Sequence, residues 1–138
     1  MKYFTLKELT KTSTGLKNVP NKEQEENLIY LVECVLDAVR ERMKEPIIVT
    51  SGFRSEAVNK KVGGVKNSSH LDGCAADITL KDRTKNVKLF QTINQMCIDG
   101  ELSFDQLIWE KGTKKYPLWV HVSYVEGGNN RKQVIYLR

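Results

Sequence analysis

The chain has 138 residues, a formal net charge of +5, and 28% charged against 40% hydrophobic residues. That balance predicts one globular domain, residues 1–138, with a core of its own. No apolar run approaches the roughly 20 residues that cross a bilayer, which excludes a helical membrane span. The basic balance fits an anionic partner (nucleic acid, lipid surface or cell-wall polymer) or a generally basic solvated surface. The lysines are spread along the chain and not interleaved with aromatics, so no nucleic-acid partner is expected.

The opening MKYFTLKELTK has no continuous apolar stretch and no small-residue cleavage site. It is not read as a Sec signal peptide, and a cytoplasmic protein, or one released by a non-Sec route, is expected. Thr5 to Leu9 reads as a short helical turn capped by Thr5, with Glu8 as its capping-box partner. A polar loop runs from Lys11 to Pro20. From Lys22 to about Lys44, Leu28, Leu31, Val32, Val35, Leu36, Val39 and Met43 recur at helical spacing, which predicts a long amphipathic helix closed by Pro46. Ile47 to Thr50 is a β-branched run and predicts a buried strand, ended by Ser51 and Gly52. A short helix is expected from Ser55 to Val62, then a turn at Gly63-Gly64 and a polar loop. Ala75 to Leu80 reads as a second strand, Asn86 to Asp99 as a helix stopped by Gly100. Phe104 to Glu110 and Trp119 to Tyr124 read as an antiparallel hairpin, and Gln133 to Leu137 as a last short strand. Helices precede and interrupt a mainly antiparallel sheet, so the fold class is α+β. A monomer is expected.

The residues that carry chemistry cluster in two segments. The chain has only two histidines, His70 and His121. Seven residues after His70, Asp77 falls inside the apolar Ala75 to Leu80 strand, where a carboxylate needs a partner. Two imidazoles and a carboxylate are the protein ligands of a catalytic zinc that keeps a fourth position for water. In the run WVHVSY, alternation places Trp119, His121 and Ser123 on one face and Val120, Val122 and Tyr124 on the other. Glu110 closes the partner strand and is the candidate general base, ahead of Asp105 and Asp72. Arg54, in a Ser-Gly-Phe-Arg turn, is placed to clamp a substrate carboxylate or amide oxygen, or else to form a structural salt bridge. Ser69 is a candidate hydrogen-bond donor. Cys74 lies near His70 and Asp77 as a rival ligand, but a small packing residue is the better reading. The three cysteines do not suggest a disulfide framework.

Together SGFRS (51–55), NKKVGG (59–64), SSHLDGCAADI (68–78), FDQLIWE (104–110) and WVHVSY (119–124) resemble the zinc D-Ala-D-Ala carboxypeptidase family. That family includes murein endopeptidases and phage endolysins with the hedgehog-like fold, and its S-x-H-x-x-G-x-A-x-D signature lies here on Ser68 to Asp77. The resemblance implies zinc held by His70, Asp77 and His121. It implies substrate binding by Arg54 and Ser69, and hydrolysis of peptide bonds in peptidoglycan stems or cross-bridges. Several branches carry the catalytic acid three residues before the last histidine. That position is Leu118 here, and the resemblance, to the branch whose acid closes the FDQLIWE strand, implies that the role belongs to Glu110. The competing expectation is a non-catalytic wall-binding or phage structural module that keeps the same fold.

Overall fold

Leu28, Leu31, Val32, Val35, Leu36 and Val39 are all fully buried, and they form the stripe of one helical rod, the longest in the chain. A computed structural model describes residues 1–138. The rod is α2 (Lys22–Leu31), a π-helical stretch at Val32–Leu36, and α3 (Asp37–Met43). The continuous α-helix expected there is therefore interrupted by wider turns. Lys44 ends the rod in a left-handed conformation, φ +60°.

The start of the rod is fixed by a reciprocal capping box. Asn21 accepts from the Gln24 backbone, and the Gln24 side chain accepts from the Asn21 N–H, each at 2.8 Å. The first short helix, α1 (Leu6–Thr10), is capped by Thr5 as expected. Its box does not close, because the Glu8 carboxylate accepts the Thr5 hydroxyl instead of the Thr5 backbone N–H.

Five strands form one sheet in the order β1-β2-β4-β3-β5. They are β1 (Ile48–Ser51), β2 (Ala75–Thr79), β3 (Gln106–Glu110), β4 (Trp119–Ser123) and β5 (Gln133–Leu137). All neighbours are antiparallel except β3 and β5, which run parallel. The β5 strand can reach its place only by crossing over β3, and a charged clamp holds that crossing. Arg131 donates through Nε and Nη2 to both Asp105 oxygens, each at 2.8 Å.

Alternation along the strands divides the sheet into two chemistries. Ala76, Ile78, Leu107, Trp109, Val120 and Val122 face the rod and α5 (Asn86–Ile98) and join one apolar core with them. Asp77, Ile108, Glu110 and His121 stand on the other face. The rod and α5 therefore cover the core face, and the opposite face of β2, β3 and β4 is left for chemistry. A short helix α4 (Glu56–Lys61) and the loop after it lie over that face. No helix is long and apolar enough to cross a membrane.

Candidate metal centre

Asp77 on β2 lies directly opposite His121 on β4. Residues opposed across an antiparallel pair share a face and approach closely. Here the Asp77 Oδ1 to His121 Nδ1 distance is 3.1 Å. The third group comes from a turn, not a strand. Ser68 caps a 3-10 turn over Ser69–Asp72, and Gly73, at φ +76°, swings the chain into β2. Only glycine fits at that point, because a Cβ there would sit 2.3 Å from the Gln24 carbonyl oxygen. The turn sets His70 Nε2 at 3.3 Å from the same Asp77 Oδ1.

His70 Nδ1 is 2.7 Å from the carbonyl oxygen of Gly52. A carbonyl can only accept, so this bond assigns the proton to Nδ1 and points the Nε2 lone pair of the neutral ring at Asp77. Two acceptors facing one another at 3.3 Å need a proton or a metal ion between them. A side-chain N–H held by a backbone carbonyl is also how metal-binding histidines are oriented. The two imidazoles meet edge to face, with ring centroids 5.1 Å apart.

The other Asp77 oxygen, Oδ2, accepts from Arg54 Nη2 at 3.2 Å. Burial acts to raise the Asp77 carboxyl. Its close contacts with His121 and His70 outweigh that and hold the carboxyl well below the usual carboxylate range. The carboxylate that looked costly inside an apolar strand is thus ionised and fully partnered.

Arg54 is held on three sides. Nε donates to Ser51 Oγ at 3.0 Å, Nη1 to Asn59 Oδ1 at 3.2 Å, and Nη2 to Asp77. A guanidinium has five N–H groups, so two remain for a ligand. Both the structural ion pair and the open donors expected of Arg54 are therefore present. Asn59 was not legible as a functional residue. It is buried and bridges Arg54 to the Val65 carbonyl. Its only sequence signal is its place in NKKVGG.

Glu110 reaches the site by register. On β3, Ile108 lies opposite His121 and Glu110 opposite Trp119, so Glu110 is on the same face as the two ligand candidates. Its carboxylate is half-buried and forms no ion pair. Burial raises its carboxyl above the ordinary range, and the Asp77 charge adds to that, against the opposing pull of His121, Lys111 and His70. A partnerless, half-buried carboxylate with a raised pKa beside a candidate donor cluster suits a general base. Asp105 is committed to Arg131, and Asp72 is exposed and outside the donor cluster. Cys74 is not a ligand candidate either. Burial, then the Asp72 charge, push its thiol up to about 11, so it stays a neutral packing group.

Ser69, His70, Arg54, Asp77, Glu110 and His121 all line one cleft of about 550 Å³, bounded on its far side by the Val62–Asn67 loop. The structure therefore brings together these six of the residues singled out in the sequence and leaves Asp72, Cys74 and Asp105 outside the cleft. The sequence pattern of the family described as Peptidase M15 matches residues 2–123.

The chain belongs to the peptidase M15 family.

A stretch of 44 residues is 50% identical to the zinc D-Ala-D-Ala carboxypeptidase of Streptomyces albus G, covering 31% of this chain and 17% of that protein. The chain therefore spans only a small part of the length of that relative. The three convergent donors of this M15 chain fit a zinc ion. Two donors of a tetrahedral zinc, each at about 2.0–2.1 Å, lie about 3.3 Å apart. The two measured separations from Asp77 Oδ1 are 3.1 and 3.3 Å. All three donor atoms fall within 4.8 Å of one another, and all three residues are buried. An imidazole pair with a carboxylate is a donor set that suits zinc.

The Gly52 carbonyl that orients His70 is itself held by close packing. A Cβ at position 52 would sit 2.2 Å from the Leu9 carbonyl oxygen, and Phe53 N donates to that same oxygen at 2.7 Å. Gly52→Ala is expected to push β1 off α1 and tilt the His70 ring. The expected result is a loss of about 1–3 kcal/mol of stability and about 10- to 100-fold weaker zinc binding. Thermal unfolding of the metal-free protein and a zinc competition titration measure the two effects separately.

Proposed function

We propose that this chain hydrolyses peptide bonds in the stem peptides of bacterial peptidoglycan, with zinc held by His70, Asp77 and His121. The observation that supports this reading most is the convergence of three buried donors on one point of a cleft that also holds an unpartnered, half-buried Glu110. The similarity to a zinc D-Ala-D-Ala carboxypeptidase supports the substrate class. Zinc, when bound, supplies a Lewis acid that polarises a carbonyl and acidifies water.

The other roles belong to side chains. Glu110 takes a proton from the attacking water as its oxygen bonds to the scissile carbonyl carbon. When the C–N bond breaks, Glu110 returns that proton to the leaving amine. Arg54 fixes Asp77 and offers its two remaining N–H groups to a substrate oxygen. Ser69, half-buried on the cleft wall, offers a hydroxyl. The net charge of +5 draws the protein toward an anionic polymer.

Digestion of purified peptidoglycan by the zinc-loaded protein tests the proposal, with products read by mass spectrometry and free-amine assay. Release of D-alanine or new stem-peptide ends, abolished by a chelator and restored by zinc, is expected. Intact peptidoglycan in the presence of zinc-loaded protein would overturn the enzymatic reading and leave a wall-binding module.

A further inference from the structure

The metal centre is not at the end of a cleft but between two depressions of different character. The larger one lies over β3 and β4, has the Val62–Asn67 loop for a wall, and takes in Gln106, Ile108 and Glu110. The second, about 470 Å³, lies over β1, β2 and β4 and is lined by only Thr50, Asp77, Arg83, Leu118 and Trp119. Asp77 and Trp119 belong to both. A peptide laid across the strands over the metal centre would therefore occupy both, with most of its length in the larger.

Arg83 is the only charged group of the second depression besides Asp77, and Asp77 already has His70, His121 and Arg54 as partners. Arg83 is exposed and forms no ion pair. Its one hydrogen bond runs from Nη1 to the Leu118 carbonyl, which leaves four N–H groups open. Arg54, by contrast, has three of its five committed.

Arg83 is also held in place. It opens a 3-10 turn, Arg83–Lys85, that follows Asp82, and the Asp82 carboxylate is committed to the Thr84 N–H at 3.1 Å and the Thr84 hydroxyl at 2.6 Å. The next residue, Asn86, is fully buried. It accepts from Leu80 N at 2.9 Å and donates to Thr79 Oγ1 at 2.8 Å and to the Leu118 carbonyl at 3.1 Å. This network ties the turn to the end of β2 and to the β3–β4 loop. A guanidinium on a fixed turn loses less freedom on binding than a lysine on a mobile one.

We propose that Arg83 receives the terminal carboxylate of the peptide being cut, so that the shallow depression holds the last residue and the larger cleft holds the rest. The inference rests on the peptidase reading above and deepens it. The substrate is a peptide with a free C-terminus, the scissile carbonyl lies over the metal centre, and one residue leaves per turnover. The bond broken is the last C–N bond. The proton delivered by Glu110 makes the departing residue a free amino acid.

Equilibrium binding tests this without turnover. The zinc-loaded Glu110→Gln protein is titrated in a calorimeter with an N-acetylated peptide ending in D-Ala-D-Ala, as the free acid and as the C-terminal amide. The same titrations are made after adding Arg83→Gln. The acid is expected to bind about fivefold more tightly than the amide when Arg83 is present, the upper range for an exposed ion pair. The difference is expected to fall below about twofold in Arg83→Gln, with zinc content unchanged. Equal binding of acid and amide with Arg83 present, a preference that survives Arg83→Gln, or no binding of either peptide would each overturn it. The peptidase reading is judged separately, by whether wild-type protein digests peptidoglycan.

Discussion

Alanine in place of His70, Asp77 or His121 is expected to remove zinc and the proposed hydrolysis together. Each variant is expected to lose stoichiometric zinc after dialysis against metal-free buffer, and turnover is expected to fall on the order of 10⁴-fold or more, since the Lewis acid is lost with the ligand. The three variants differ in what they do to the metal-free fold. Asp77→Ala leaves the Arg54 guanidinium, 15% exposed, without its carboxylate, and removing one partner of a buried pair costs about 3–5 kcal/mol. His121→Ala leaves the Asp77–Arg54 pair and the Arg54–Asn59 contact intact, so it is expected to unfold at a temperature closer to wild type. Elemental analysis and thermal unfolding on all three variants check both statements. Full zinc retention in any one of them would remove that residue from the ligand set.

Glu110→Gln gives the opposite pattern. Zinc is kept, because Glu110 is not in the donor cluster, and turnover is expected to drop about 10²- to 10⁴-fold, the usual worth of a general acid–base group. The metal-free variant carries a second signature. Burial and the Asp77 charge raise the Glu110 carboxyl in the folded chain. A carboxyl raised by folding costs stability once it ionises, so the cost is present above its folded pKa and vanishes below the unfolded value. At neutral pH metal-free Glu110→Gln is therefore expected to unfold at a slightly higher temperature than wild type, with the gain lost as pH falls through the ordinary carboxylate range. Undiminished turnover in Glu110→Gln would place the base elsewhere.

The site was more legible than the path to it. Alternation in WVHVSY put His121 on the face away from Val120 and Val122, and a carboxylate in an apolar strand announced its need for a partner. Register then follows from the buried face, since a slip by one residue would turn Asp77 or His121 into the core. What could not be read depends on segments far apart in the chain. The Gly52 carbonyl that sets the His70 tautomer lies 18 residues away, and the Arg54 network joins Ser51, Asn59 and Asp77 through contacts that no spacing encodes. The Arg83 depression is assembled from β1, β2, the Arg83–Lys85 turn and β4, so no single stretch of sequence marks it. In the long rod, helical periodicity located the buried stripe but not the π-helical stretch, because Leu31, Val32, Val35 and Leu36 are apolar enough to be buried with either hydrogen-bond pattern.

Fold-level surprises had local causes as well. The open box at Thr5 arises because the Glu8 carboxylate is reached by a hydroxyl before a backbone N–H. The Asp105–Arg131 ion pair lies at the start of the parallel β3–β5 pair, where the chain after β4 comes back to the sheet.

Diffraction from crystals of the zinc-loaded protein at the zinc absorption edge tests the central claim most directly. The account predicts one anomalous peak per chain, about 2.0–2.2 Å from His70 Nε2, Asp77 Oδ1 and His121 Nδ1, with Glu110 beside it and unligated. A peak elsewhere, or none at these three atoms in protein that carries zinc, would contradict it.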